Sequence, residues 1–278
     1  MKLAVFDTGQ GPEIGVVHGE TVTSADFAGT MIDLIGKWGA AKSDIERAIG
    51  ENAPRPLSDV RLNAPVSRPG KIFAIGLNYA DHIAESKMEK PANQVWFTKA
   101  VTSINGPFDP IEIGKTGAFV DYEVELVAVI GKRGRYISKA QAPAHVFGYC
   151  VGNDVTDRFW QQRTPQWSLG KSFDTHAPIG PWITTSDEVG NPHELGLRCF
   201  VNGEKRQDSN TRNLVFNIWD QIEHLSQAMT LEPGDLIFTG TPGGVGAAMN
   251  PRQFLKAGDR VRCEIDRLGA IEASLAAA

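Results

Sequence analysis

The stretch Asp121-Tyr122-Glu123-Val124-Glu125-Leu126-Val127-Ala128-Val129-Ile130 decides how the rest of the chain is read. It reads as a strand, in which alternate side chains share a face. One face carries Tyr122, Val124, Leu126, Ala128 and Ile130; the other carries Glu123, Glu125, Val127 and Val129. Both faces turn apolar downstream, so the strand is expected to be covered on both sides. Two carboxylates then sit together on a largely buried face. Like charges that close are costly unless a cation or a shared proton relieves them. A divalent metal would do so. Hard oxygen ligands suit Mg²⁺ or Mn²⁺, with Ca²⁺ also allowed, and a third oxygen donor would be needed. An edge strand with both glutamates in water, paired to lysine or arginine, fits the same pattern.

Downstream, His145 to Gly152 is a second strand ending in Asn153-Asp154. If the next residues turn helical, Asp154, Arg158 and Gln161 fall on one side. That side would offer an anion, a forked cation and an amide, suited to one metal ligand and two donors for an anionic substrate. A solvated Asp–Arg pair within a helix is the plain alternative. Upstream, the strand Lys71 to Gly76 leads to Leu77-Asn78-Tyr79-Ala80-Asp81-His82-Ile83-Ala84-Glu85. His82 and Glu85 would be neighbours in a helical turn, and a carboxylate beside an imidazole raises its basicity. The charges of Lys87, Glu89 and Lys90 suit a plain solvated helix equally well. Thr239-Gly240-Thr241-Pro242-Gly243-Gly244-Val245-Gly246 is neither a phosphate loop nor a dinucleotide fingerprint. Its backbone N–H groups and the Thr241 hydroxyl could meet a carboxylate. No Gly-x-Ser-x-Gly elbow is present, which disfavours a serine hydrolase.

The 278 residues carry a net charge of −5 and are 41% hydrophobic, ordinary for a globular protein. No basic run is long enough to grip nucleic acid or an anionic membrane. No apolar run is long enough to span a bilayer, and no signal segment precedes Asp7, so a cytoplasmic protein is expected. Cys150, Cys199 and Cys263 lack CxxC spacing and read as buried free thiols. The 29 glycines and 16 prolines favour short strands, so the fold class expected is mixed α/β and strand-rich. In the first part, Lys2 to Asp7 and Glu13 to His18 read as strands. Met31, Leu34, Ile35 and Trp38 recur at helical spacing, and Ser43 with Glu46 resembles a capping box. Pro65 to Gly70 marks a boundary, giving a small N-terminal part at 1–66 and a larger part at 67–278. The clearest helix is Leu214 to Gln227, followed by the strand Leu236 to Phe238.

Taken in order, these segments resemble the fumarylacetoacetate hydrolase family. The resemblance runs through Lys71 to Tyr79, His82 and Glu85, Asp121 to Leu126, and Asn153 to Thr156. It continues through Gly170-Lys171-Ser172-Phe173-Asp174, Pro178 to Trp182, Val201 to Glu204, and Pro233 to Gly246. It implies a strand-rich β-sandwich or roll catalytic domain with a small N-terminal α+β domain, usually dimeric. It implies Mg²⁺ or Mn²⁺ held by Glu123, Glu125 and Asp154, and Arg158, Gln161, Lys171 and Thr241 at the substrate. His82 and Glu85 would lie on a mobile lid and activate water. The residue after the arginine is commonly acidic in that family, whereas this chain has Phe159, with Asp157 before Arg158. It also has Lys99-Ala100 where lysine-proline is common. The activity implied is metal-dependent hydrolysis of a C–C bond in a 2,4-dioxo acid (an acylpyruvate), with Lys171 beside the pyruvate enolate. Decarboxylation or keto–enol isomerisation of a 2-oxo dicarboxylic acid would use the same site. A non-catalytic dimer that binds a small anion is the reading from a different class.

Overall fold

The computed structural model describes residues 1–85, 89 and 91–278. Val124–Ile130 lies near the middle of a twelve-stranded sheet, and all 7 of its residues are buried. It pairs antiparallel with Val146–Asn153 on one side and with Leu236–Phe238 on the other. Beyond Leu236–Phe238 come Ile72–Gly76, paired parallel, and then Val95–Thr98. In the other direction Ala177–Thr185 follows Val146–Asn153, and Lys2–Asp7 follows that. Pro12–His18 and Thr21–Ser24 carry the sheet on to its far edge at Arg55–Pro56.

Alternation along the central strand separates two cores. Val124, Leu126, Ala128 and Ile130 pack with Ile218, Ile222 and Leu225 of the helix Ile218–Ala228 and with Leu197, Val261 and Ile271 of a five-stranded sheet. Val127 and Val129 pack with Leu3, Ile14, Leu34 and Ile35 of the N-terminal segment. A strand apolar on both faces can only be stable when both are covered, and here they are.

The acidic stretch differs from one continuous strand. Val120–Asp121 pairs with Thr156–Asp157 in a separate two-stranded ladder, and the central strand begins at Val124. Side chains replace the ladder at the break. Glu123 N–H donates to Asn153 Oδ1 (2.9 Å) and Val124 N–H donates to Gln207 Oε1 (2.9 Å). Helix boundaries also shift where caps decide them. Thr30 and Asp33 form the capping box that opens Met31–Gly36. Ser43 and Glu46 lie inside the next helix, Trp38–Glu51. The last helix begins at Ile218 rather than Leu214, because Asn217 accepts from the Trp219 and Asp220 N–H groups. Leu214 instead bridges Tyr79. The expected boundary at residues 65–70 is an irregular link between Arg61–Asn63 and Ile72–Gly76. Among the described residues, no helix is long and apolar enough to cross a membrane.

Leu126 is fully buried against the helix and the second sheet. Leu126→Ala is expected to lower unfolding free energy by about 3 kcal/mol, read by chemical denaturation. A loss under about 1 kcal/mol would mean that this face is loosely packed.

Candidate active site

The register Val124↔Asn153 brings the start of one strand beside the end of its neighbour. Glu123 and Glu125 flank Val124, and Asp154 follows Asn153, so strand pairing alone gathers three carboxylates. The Asp154 N–H donates to the Glu123 carbonyl (2.9 Å), which locks the approach. One oxygen from each of Glu123, Glu125 and Asp154 lies within 4.8 Å of the others, and all three residues are buried.

Three buried cations answer this charge. Lys171 Nζ donates to Glu123 Oε2 and Asp154 Oδ2, both at 2.7 Å. Lys99 Nζ donates to Asp154 Oδ1 (2.6 Å) and also meets the Lys171 carbonyl. Arg158 Nη2 lies 2.7 Å from Glu123 Oε1 and 2.8 Å from Asp121 Oδ2, and Arg158 Nε donates to Asp121 Oδ2 (2.9 Å). Burial pushes the Glu123 carboxyl up, but Lys171 and Arg158 outweigh it and hold the pKa down to about 2. Burial likewise pulls Lys171 down, and Asp154 and Glu123 more than restore it.

Glu125 is the exception. Its recorded bond is from the Gly240 N–H (2.7 Å). Burial first, then the charges of Asp154 and Glu123, push its pKa well above 4.5. Two carboxylates within 4.8 Å repel by at least roughly 3 kcal/mol at an effective dielectric constant of about 20. One N–H bond to an anion contributes only about 1.5–3 kcal/mol. The imbalance marks the place of a further cation, and three carboxylate oxygens are the donor set that a hard divalent metal takes. Glu123, Glu125 and Asp154 thus fit such an ion.

A cavity of about 380 Å³ opens onto these groups, lined among others by His82, Glu85, Arg158, Gln161, Lys171 and Thr241. All nine residues singled out in the sequence therefore meet in one place, by different routes. Asp154 precedes the short helix Arg158–Gln161 and is not on it. No Asp154–Arg158 pair within a helix forms; Asp154 is held by the two lysines instead. Gln161 Oε1 accepts from Arg158 Nη1 (3.1 Å), which leaves the amide NH₂ to donate to a ligand. His82 and Glu85 lie on the helix Ala80–Glu85, with no hydrogen bond recorded between them. His82 Nδ1 is buried without a partner among the described residues, and burial lowers the imidazole pKa below 6.5. Glu85 Oε2 accepts from the Gly244 N–H (2.6 Å). Lys87 and Lys90 fall outside the described residues.

The N–H groups of the glycine-rich loop meet carboxylates as expected, whereas the Thr241 hydroxyl does not. The carboxylates are the protein's own: Gly240 donates to Glu125, Gly244 to Glu85, and Gly246 and Ala247 to Asp121. Thr241 Oγ1 donates to the Val124 carbonyl (3.0 Å) and accepts from Gln207 Nε2 (2.8 Å). Four contributors escaped the sequence reading: Asp121, Lys99, Gln207, and Trp167, which lines the cavity. Asp121 was in view, since it shares the odd-numbered face with Glu123 and Glu125. Lys99 is 3% exposed beside the strand Val95–Thr98, a placement that an isolated lysine in sequence does not reveal.

Comparison with known proteins fits this geometry. Residues 71–276 match the model of the fumarylacetoacetate (FAA) hydrolase C-terminal domain. The chain belongs to the fumarylacetoacetate hydrolase family. Among curated relatives it is 44% identical to the Bos taurus protein "Oxaloacetate tautomerase FAHD2A, mitochondrial" over 283 residues, 98% of this chain and 90% of the relative. Among solved structures it is similar to maleylpyruvate hydrolase from Sphingobium sp. SYK-6 in complex with manganese(II) ion and pyruvate. That match has 36% identity, a TM-score of 0.86, and covers 100% of this chain and 99% of the other. It also resembles 5-carboxymethyl-2-hydroxymuconate delta-isomerase from Mycobacterium smegmatis, with 31% identity, a TM-score of 0.81 and full coverage of both chains (100%).

A direct consequence concerns Glu125. A carboxylate with a raised folded-state pKa binds protons more readily in the native state. It therefore subtracts stability as pH rises from 4.5 toward its folded value, and the loss persists above that. Glu125→Gln is expected to raise the melting temperature of the metal-free protein at pH 7 and to weaken Mn²⁺ binding at least about 100-fold in calorimetry. Unchanged Mn²⁺ affinity would remove Glu125 from the cation site.

Proposed function

We propose that the chain is a divalent-metal-dependent keto–enol tautomerase of a 2-oxo dicarboxylic acid of the oxaloacetate type. The observation that carries this reading is His82. Its Nδ1 is buried with no partner among the described residues, burial favours the neutral ring, and the residue lines the cavity onto which the carboxylates open. A neutral imidazole in that position is a base for a carbon-bound proton. The name of the bovine relative supports the same reaction.

A divalent ion held by Glu123, Glu125 and Asp154 would supply Lewis acidity toward the 1-carboxylate and 2-oxo oxygens. His82 removes a proton from C3. The C–H electron pair becomes the C2–C3 double bond, and negative charge moves to the oxygen on C2. Lys171, already fixed by Glu123 and Asp154, presents its ammonium to that charge. Return of the proton to oxygen gives the enol, and the reverse sequence gives the ketone. Arg158 and the Gln161 NH₂ bind the second carboxylate. Mg²⁺ or Mn²⁺ as the ion, a homodimer and a cytoplasmic setting complete the proposal. A small N-terminal domain at 1–66, beside a catalytic domain at 67–278, is part of it too.

Hydrolysis of a C–C bond in a 2,4-dioxo acid is the second reading. It is favoured by Glu85 standing one helical turn from His82, and by the name of the Sphingobium relative. Glu85 would exchange Gly244 for His82, and His82 would take a proton from water attacking C4. The C3–C4 bond breaks, its electron pair passes to C3, and protonation there yields pyruvate and a carboxylic acid.

With Mg²⁺, the enol form of oxaloacetate should be converted to the ketone with no pyruvate formed, followed by loss of enol absorbance and by NMR. His82→Ala should slow this at least about 100-fold. Turnover of 2,4-dioxo acids with none of oxaloacetate would replace the first reading by the second, and release of CO₂ would point to decarboxylation. Because the base is the neutral ring, and its pKa is lowered, the rate should hold as pH falls through 6.5 and decline only below it. An acid limb centred above 6.5 would contradict a buried His82 as the base.

A further inference from the structure

We propose that Asp121 is a positioning residue that fixes the substrate-facing Arg158 and the glycine-rich loop against the cation strand. Asp121 is fully buried and is not part of the cavity lining, so it acts through other groups. Its two oxygens collect donors from three places. Oδ1 accepts from the Tyr122 N–H (3.0 Å) and the Gly246 N–H (2.8 Å). Oδ2 accepts from Arg158 Nε (2.9 Å) and the Ala247 N–H (2.9 Å), and lies 2.8 Å from Arg158 Nη2.

Only an ionised carboxylate can do this. Both oxygens accept, and neither presents a hydrogen to the surrounding donors. An asparagine would turn its NH₂ toward Arg158 and Ala247 in one orientation, or toward Tyr122 and Gly246 in the other. The planar guanidinium depends on the same group. Arg158 Nη2 is shared between Asp121 and Glu123, which sets the plane in which Nη1 reaches Gln161. A side chain held on two sides loses little freedom when a ligand arrives. Without Asp121, Glu123 would be the one carboxylate left to Arg158 among the described residues, and it is already bound to Lys171. Phe159 stands where an acidic neighbour to the arginine was expected, and Asp121 supplies the missing anion from 37 residues away.

That Arg158 meets the substrate rests on the function proposed above, so the test reads the arginine with and without turnover. With the Mg²⁺-loaded enzyme and oxaloacetate, D121N should raise KM about tenfold, with a smaller change in kcat. The double variant D121N/R158Q should match R158Q alone within about twofold, because one residue acts through the other. Effects of D121N and R158Q that multiply would overturn the proposal, as would an unchanged KM in D121N. Oxalate binding to the Mn²⁺-loaded protein, read by calorimetry, probes the same arginine if oxaloacetate proves not to be a substrate. D121N should weaken it about tenfold, and wild-type affinity would overturn the proposal. Should D121N fail to fold, R158K is the second variant. It keeps the charge but cannot span Asp121 and Glu123 as a planar fork, so KM should rise; a wild-type KM and wild-type oxalate affinity would show that the held fork is not needed.

Discussion

Glu123, Glu125 and Asp154 bring three carboxylate oxygens within 4.8 Å of one another where water barely reaches. Nothing in a protein interior tolerates that without positive charge close by. The surrounding structure is arranged to supply it. Lys171 bridges two of the carboxylates, Lys99 holds the far side of one of them, and Arg158 holds the far side of another. Glu125 is left with a backbone N–H, and its raised pKa is the residue of charge that these cations do not cover. A divalent ion held by the three carboxylates would remove the conflict.

The sheet makes the cluster possible because it removes choice. Val124 pairs with Asn153, so the two acidic segments cannot drift apart without breaking the most buried ladder of the molecule. The glycine-rich loop closes the arrangement from above. Its N–H groups neutralise carboxylates without adding another side chain to the cavity. Gly244 has a φ of +101° and lies against the Arg206 carbonyl, where a Cβ would come within 2.0 Å. Glycine is therefore required at that point if the loop is to reach Glu85. The same loop ties the helix bearing His82 and Glu85 to the cation site, through Gly244 to Glu85 and Gly240 to Glu125.

Much of this was legible in the sequence, and the reasons are physical. The alternation of Glu123 and Glu125 with Val124 and Leu126 gave both the burial and the charge conflict, because a strand has only two faces. The order of motifs gave the family, to which the chain belongs. What periodicity could not give was pairing across the fold. Asp154 reads as the start of a helix and is in fact gripped by Lys99 and Lys171, from segments 55 and 17 residues away. Asp121 stood in the quoted stretch without a role, since three of its four hydrogen-bond donors come from elements remote in sequence. The last helix starts after its Asn217 cap rather than at Leu214, and Ser43 with Glu46 falls inside a helix that already starts at Trp38. The loop N–H groups do meet carboxylates, but which ones, Glu85, Asp121 and Glu125, could not be read from the loop itself.

The most direct test of the central claim is a crystal structure of the protein grown with Mn²⁺, with anomalous data collected at the manganese edge. A single strong peak bound by oxygens of Glu123, Glu125 and Asp154, beside Lys171, is the expected result. No peak there in the presence of saturating Mn²⁺, or an ion held elsewhere with the three carboxylates paired only to Lys99, Lys171 and Arg158, would contradict it.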